Sequence, residues 1–129
     1  MNKCLFVGRF VRDPKLYEIT KNNNDGASGD KTAVVDFTLA ISRKFKKGNG
    51  EIGKQTNYLD FEAWDSGAQV IANNFKKGDQ IVIFASARNN SYEDSNGSKL
   101  NRVVFRVEEF ALPSQYIEND NESANRTVA

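Results

Sequence analysis

Thr56-Asn57-Tyr58-Leu59-Asp60-Phe61-Glu62-Ala63-Trp64 decides how this chain is read. The alternation has period two, which predicts a strand. Leu59, Phe61 and Ala63 fall on one face, fit for a core. Tyr58, Asp60, Glu62 and Trp64 fall on the other. A half-buried strand ordinarily turns only polar groups outward. Here two large flat rings share that face with two carboxylates, and Trp64 is the single tryptophan of the chain. An aromatic ring on a wet sheet face is a surface on which another flat group can stack.

Outward from this stretch, the pattern stays that of a strand protein. Lys3 to Phe10 alternates weakly, Leu5 and Val7 against Cys4 and Phe6, so both faces are expected to be partly buried. Gly8 inside that run marks a bend or bulge. Arg12-Asp13-Pro14 breaks it, because proline cannot donate to a ladder, and Lys15 to Thr20 resumes as a second extended piece. Lys21 to Lys31 holds turn formers and no large apolar residue, the composition of a mobile connector. Ala33 to Ser42 is a strand with Val35, Phe37, Leu39 and Ile41 inward and Asp36, Thr38, Ala40 and Ser42 outward. Residues 43–54 carry five cations against one anion, and their three glycines predict a flexible hairpin tip. Phe45 sits among the cations. A solvated charged turn is the bland reading of this segment. A basic arm with a stacking ring is the functional one, since basic and aromatic groups together are what a single strand requires.

After Trp64, Ala68, Ile71, Ala72 and Phe75 recur at helical spacing. The helix is predicted from Asp65 to Lys77, capped by Asp65 or Ser66, with Lys76 and Lys77 in its last turn and Gly78 ending it. Gln80 to Arg88 is the next strand, and its parity continues through Asn90 to Tyr92. Glu93 to Ser98 contains Asn-Gly, a hairpin signal. Val103, Phe105 and Val107 lead the return strand, opposed to Arg102, Val104, Arg106 and Glu108. Ser114 to Ala129 is polar and aperiodic and predicts a disordered tail.

The bulk numbers exclude several classes of function. The chain has 129 residues, enough for one domain with a small core. Its 18 lysines and arginines nearly cancel 17 acids, so the placing of charge matters more than its sum. One cysteine, Cys4, forbids an internal disulfide and is read as a small buried hydrophobe. With no histidine, a Cys/His zinc site and a histidine triad are both excluded. No phosphate loop or acid/base pair stands out, so no catalysis, cofactor or metal is expected. No apolar run reaches the ~20 residues of a membrane helix, and the start is too short and strand-like for a signal peptide. The expected compartment is the cytoplasm.

Strand, strand, strand, helix, strand, strand describes an all-β chain with one helix: the OB-fold, a five-stranded Greek-key barrel with its helix between strands 3 and 4. Residues 1–113 would form this domain and 114–129 the tail.

At this point the chain resembles the bacterial-type single-stranded-DNA-binding proteins over roughly residues 1–112. The resemblance is carried by Asn2-Lys3, Leu5-Phe6-Val7-Gly8, Arg12-Asp13-Pro14, Phe37-Thr38-Leu39-Ala40 and Lys77-Gly78 before an apolar strand. Phe45, Tyr58, Trp64 and Tyr92 stand where that family places its aromatics. The resemblance implies that bases stack on these four rings while Lys3, Arg9, Arg43, Lys44, Lys46, Lys47, Lys54, Arg88 and Arg102 neutralise phosphates. It further implies a homo-oligomer (a tetramer before a dimer), a role in replication, recombination or repair, and a bacterial nucleoid or a phage-infected cell as setting. Leu59-Asp60 replaces a pair that is often histidine-arginine in the family. Asp60 and Glu62 put the phosphate's own sign between Tyr58 and Trp64, so phosphate contacts are expected from the flanking hairpins. The family's acidic terminal tip, which recruits replication and repair proteins, has no counterpart in residues 124–129, so recruitment through the tail is not expected. Structural alternatives stand for each ring: Trp64 covering the barrel end, Tyr58 packing across a subunit interface, Tyr92 resting on its own hairpin. Alternative functions are a primosome-like protein-interaction module or an RNA-binding OB-fold.

Overall fold

The computed structural model describes residues 1–20 and 31–114. Its elements are β1 (Cys4–Phe10), β2 (Lys15–Thr20), β3 (Lys31–Lys46), β4 (Ile52–Trp64), α1 (Asp65–Asn74), β5 (Gln80–Glu93) and β6 (Lys99–Ala111). The strands form one sheet in the order β1-β5-β6-β4-β3-β2, and a further pairing of β1 with β3 closes it. All pairs are antiparallel except β4 with β6, which meet in parallel at Phe61↔Phe105 and Glu62↔Arg106. β1 meets β3 at Phe10↔Leu39 and β2 meets it from Lys15↔Asp36, so the two pieces run in line along one neighbour. Counted as one broken strand they make a closed five-stranded barrel. The helix then follows the third strand, as an OB-fold requires.

Closure depends on a close approach. β1 pairs with β5 along Cys4 to Arg9 and with β3 at Arg9 and Phe10. A Cβ on Gly8 would lie 3.0–3.1 Å from Ile41 Cγ1, the Ala40 carbonyl oxygen and Leu39 Cβ. The missing side chain lets β1 cross that near to β3.

The inward alternation of each strand fills the barrel with rings. Phe10, Phe37 and Phe61 are buried, with centroids 5.0 Å apart for the first pair and 5.5 Å for the second, which is stacked. Phe6 sits edge-on to Phe61 at 5.3 Å. Each buried ring contributes roughly 1.5–3 kcal/mol by leaving water. α1 turns Ala68 and Ile71 into the same core.

Several boundaries differ from the sequence reading. The helix ends at Asn74, three residues early, because Phe75 leaves in an extended conformation to bury its ring 5.3 Å from Phe10. Lys76 and Lys77 therefore lie in the turn that follows, where Lys76 N–H donates to Asp79 Oδ2 at 2.8 Å and Gly78 takes a left-handed φ of 89°. No side chain caps the start; Trp64 is the N-cap and Asp65 itself adopts a φ of 58°. On β1 only one face is covered: Leu5 and Val7 are exposed beside Phe84, since a barrel this small has a single inside. Cys4 is free and half-buried rather than buried. Residues 43–54 form no loose tip. β3 and β4 stay paired to Lys46↔Ile52, and Gly53 belongs to the strand. Val103 is exposed because the start of β6 and the end of β5 project beyond the barrel as a second ribbon. The connector reading for residues 21–30 and the tail reading beyond Ser114 lie outside the described residues. Among the described residues, no helix is long and apolar enough to cross a membrane.

Candidate nucleic-acid interface

Two of the sequence-predicted rings and most of the predicted cations fall in three zones of the surface. The first is the arm of β3 and β4. Its turn is tied by Lys47 N–H to the Glu51 carbonyl at 2.8 Å and by Glu51 N–H to Asn49 Oδ1 at 3.1 Å. Phe45 stands opposite Gly53 in the register. A Cβ at Gly53 would lie 2.7 Å from Phe45 Cζ, so the ring lies across the bare glycine backbone. Phe45 keeps 37% of its surface exposed. Lys44 faces Lys54 directly across the pair. Like charges so placed cost roughly 0.2–1 kcal/mol, a cost that a bound anion would relieve. Arg43, Lys46 and Lys47 are also exposed here.

The second zone is a cleft of about 500 Å³ lined by Val7, Arg9, Ala40, Lys54, Thr56 and Tyr58 among others. Tyr58 is 66% exposed. Its neighbour across the ladder is the small Ala40, which leaves the ring standing clear. Arg9 is anchored, donating from Nη1 to the Gly78 carbonyl at 3.1 Å.

The third zone is a cleft of about 380 Å³ whose lining includes Arg12, Tyr17, Asp36, Thr38, Asp60, Glu62, Asn90 and Arg102. Thr38 donates to Asp60 Oδ1 at 2.8 Å and Arg102 Nε donates to Asp60 Oδ2 at 3.1 Å, with Nη2 closing an ion pair. Partial burial pushes the Asp60 carboxyl up. The hydrogen bonds from Thr38 and Arg102 and the charges of Arg102 and Arg12 outweigh that and hold it below its ordinary 3.8. The same bond to Asp60 raises Arg102. Tyr17 donates to Asp36 Oδ2 at 2.7 Å. Glu62, 8% exposed, receives Arg106 Nε at 3.0 Å and Nη2 at 2.9 Å. The two carboxylates between Tyr58 and Trp64 are thus each answered by an arginine from β6.

Tyr92, 49% exposed, and Arg88 lie on the β5–β6 ribbon on the same side as Arg102. The Asn2 side chain extends the β1–β5 ladder, Nδ2 donating to the Ala87 carbonyl at 2.7 Å and Oδ1 accepting from Ala87 N–H at 2.9 Å. Lys3, next in the chain, is exposed, as is Arg88. Trp64 stands apart at the far end of β4, half-buried, with the Arg106 guanidinium over its ring, 4.8 Å from the centroid. Arg102, expected to neutralise phosphate, is engaged with Asp60. Arg12, Tyr17, Asp36 and Arg106 were not among the residues expected to form the site. Arg106 shares strand parity with Arg102, a signal that was legible. Its partner was not, because the β4–β6 contact joins residues 44 apart in sequence.

Against known proteins, the model of the single-strand binding protein family matches residues 1–113. The chain is 31% identical over 121 residues to single-stranded DNA-binding protein 2 of Listeria monocytogenes, covering 94% of this chain and 66% of that one. It is 32% identical over 127 residues to single-stranded DNA-binding protein 2 of Listeria innocua, covering 98% and 70%. To the single-stranded DNA-binding protein of Lactiplantibacillus plantarum it is 30% identical over 124 residues, covering 96% and 56%. The chain spans from about half to somewhat over two thirds of the length of these relatives. With the barrel, the order of its elements and a match to all but the last residues of the chain in agreement, this chain belongs to the single-strand binding protein family.

Proposed function

We propose that this chain binds single-stranded DNA without strong sequence preference, holding it unpaired during replication, recombination or repair, with no covalent step. The observation that carries this reading is the β3–β4 arm: an exposed ring laid over Gly53 next to the stem of Lys47, with Lys44 and Lys54 forced face to face on the other side of the same ribbon. The names of the relatives, which bind single-stranded DNA, agree with it. In this reading bases stack on Phe45, Tyr58 and Tyr92 and at the Trp64 end of the face. Stacking contributes about 1–3 kcal/mol per base and tolerates any sequence. Lys3, Arg43, Lys44, Lys46, Lys47, Lys54 and Arg88, all exposed, neutralise phosphates; Arg9 and Arg102 serve from tethered positions. A duplex hides its base faces and is the weaker ligand.

The test is the anisotropy of a labelled oligo(dT) and of a duplex of equal length, each at several salt concentrations. The single strand should bind more tightly, with log affinity falling linearly in log salt at about 0.7 per phosphate contact. Equal binding of both, or none of either, refutes the reading. A homo-oligomer belongs to the same proposal. It is supported by the uncovered apolar stripe of Leu5, Val7 and Phe84, where β1 lies beside β5.

A further inference from the structure

The Trp64 end of the face is built differently from the other three aromatic positions. Tyr58, Phe45 and Tyr92 are open rings. Trp64 has the Arg106 guanidinium lying over it, and its Nε1 is buried with no hydrogen-bond partner among the described residues. The indole lacks the open outward face of the other rings. The flat group in front of it is the guanidinium.

That guanidinium is held on two sides. Glu62, nearly buried, accepts from both Nε and Nη2, which fixes the plane at its edge. The indole lies beneath and fixes it by a cation–π contact. Arg106 still keeps 35% of its side chain exposed. It lies on the face that carries Arg102, two alternations further along β6. A guanidinium plane accepts a stacked base as an aromatic ring does. Its charge is already answered by Glu62, so it has little left to offer a phosphate.

We propose that Arg106 is a base-stacking residue of this interface, with Trp64 as its backing and Glu62 as the positioning residue that holds it flat. The proposal rests on the single-strand reading above. It assigns the stack at this end of the face to the arginine rather than to the indole. It also makes the contact insensitive to salt, unlike the lysines of the arm.

Two variants test it, both read by anisotropy of labelled oligo(dT) across a salt series, with melting curves to confirm folding. Arg106→Lys keeps the charge pair with Glu62 and removes the plane. Affinity should fall about tenfold, the loss of one stacked base, with the salt slope unchanged. Glu62→Gln keeps a hydrogen-bond acceptor and removes the compensating charge. The freed cation should steepen the salt slope by about 0.7, one added phosphate contact. A purely structural ion pair would move melting temperatures and leave the slopes alone. Wild-type affinity in Arg106→Lys, or a slope that becomes shallower by one contact, overturns the assignment while single-strand binding stands. So does an unchanged slope in Glu62→Gln, which suffices if Arg106→Lys does not fold. Failure of the unaltered protein to bind oligo(dT) overturns both readings.

Discussion

Tyr17 shows how the third cleft shapes individual groups. Its hydroxyl sits among Asp36 and Glu62. Burial raises its pKa first, then the hydrogen bond to Asp36, then the two carboxylate charges, to about 12 from an ordinary 10.0. The raised value favours the neutral phenol in the folded state. Its contribution to stability is therefore complete below pH 10.0 and is lost as pH rises through about 12. In an alkaline titration followed by phenolate absorbance, Tyr17 should give a step near pH 12, and Tyr17→Phe should abolish that late step. A variant that keeps the late step places it elsewhere. Asp60 runs the other way: its lowered pKa gives a contribution present above the ordinary carboxylate value and lost as pH falls through the lower, folded one. Neither shift was legible in the sequence, because Asp36, Asp60 and their partners come from different strands.

The arm of β3 and β4 is the element on which the functional reading depends. Its aromatic and cations were visible as a cluster, but glycine content suggested a mobile tip. The pairing shows why it is ordered: Gly53 is a landing site for Phe45, not a hinge. Gly53→Ala should displace the ring, since a methyl would stand 2.7 Å from Phe45 Cζ. The far end of a phenyl ring moves at small cost, and alanine suits a strand better than glycine, so stability should stay within about 1 kcal/mol. Affinity for oligo(dT) should nevertheless drop about fivefold or more, the loss of one stacking contact. Wild-type affinity in Gly53→Ala would remove Phe45 from the interface. The helix taught a related lesson. Its apolar spacing held through Ala72, yet Phe75 left the helix to pack its ring against Phe10, which ended it before the lysines that local rules placed in its last turn.

At the scale of the molecule, closing the barrel leaves the outside of β1 uncovered. Leu5, Val7 and Phe84 make an apolar stripe on a surface otherwise rich in charge. The proposed homo-oligomer predicts a light-scattering mass above the 14.5 kDa of one chain. Val7→Lys should return it toward a single copy without lowering the melting temperature of the barrel itself, because Val7 contributes nothing to the core. A single-chain mass for the unaltered protein would refute the assembly.

What the sequence determined by itself was whatever is local or periodic. Period two in β3, β4 and β5 chose the inward residues, and helical spacing found Ala68 and Ile71. Arg12-Asp13-Pro14 broke the first strand, and Asn96-Gly97 turned the last hairpin. The element order then implied the barrel. The tertiary structure alone decided which side chains meet across strands far apart in sequence. Asp60 and Glu62 looked like bare charges between two rings. The non-local neighbourhood of β4 and β6 turned them into ion pairs with Arg102 and Arg106. It also laid a guanidinium on the tryptophan that the sequence presented as open. Side-chain parity is a property of one strand, whereas neutralisation and stacking are properties of a pair, and pairing at that distance is set only when the barrel closes.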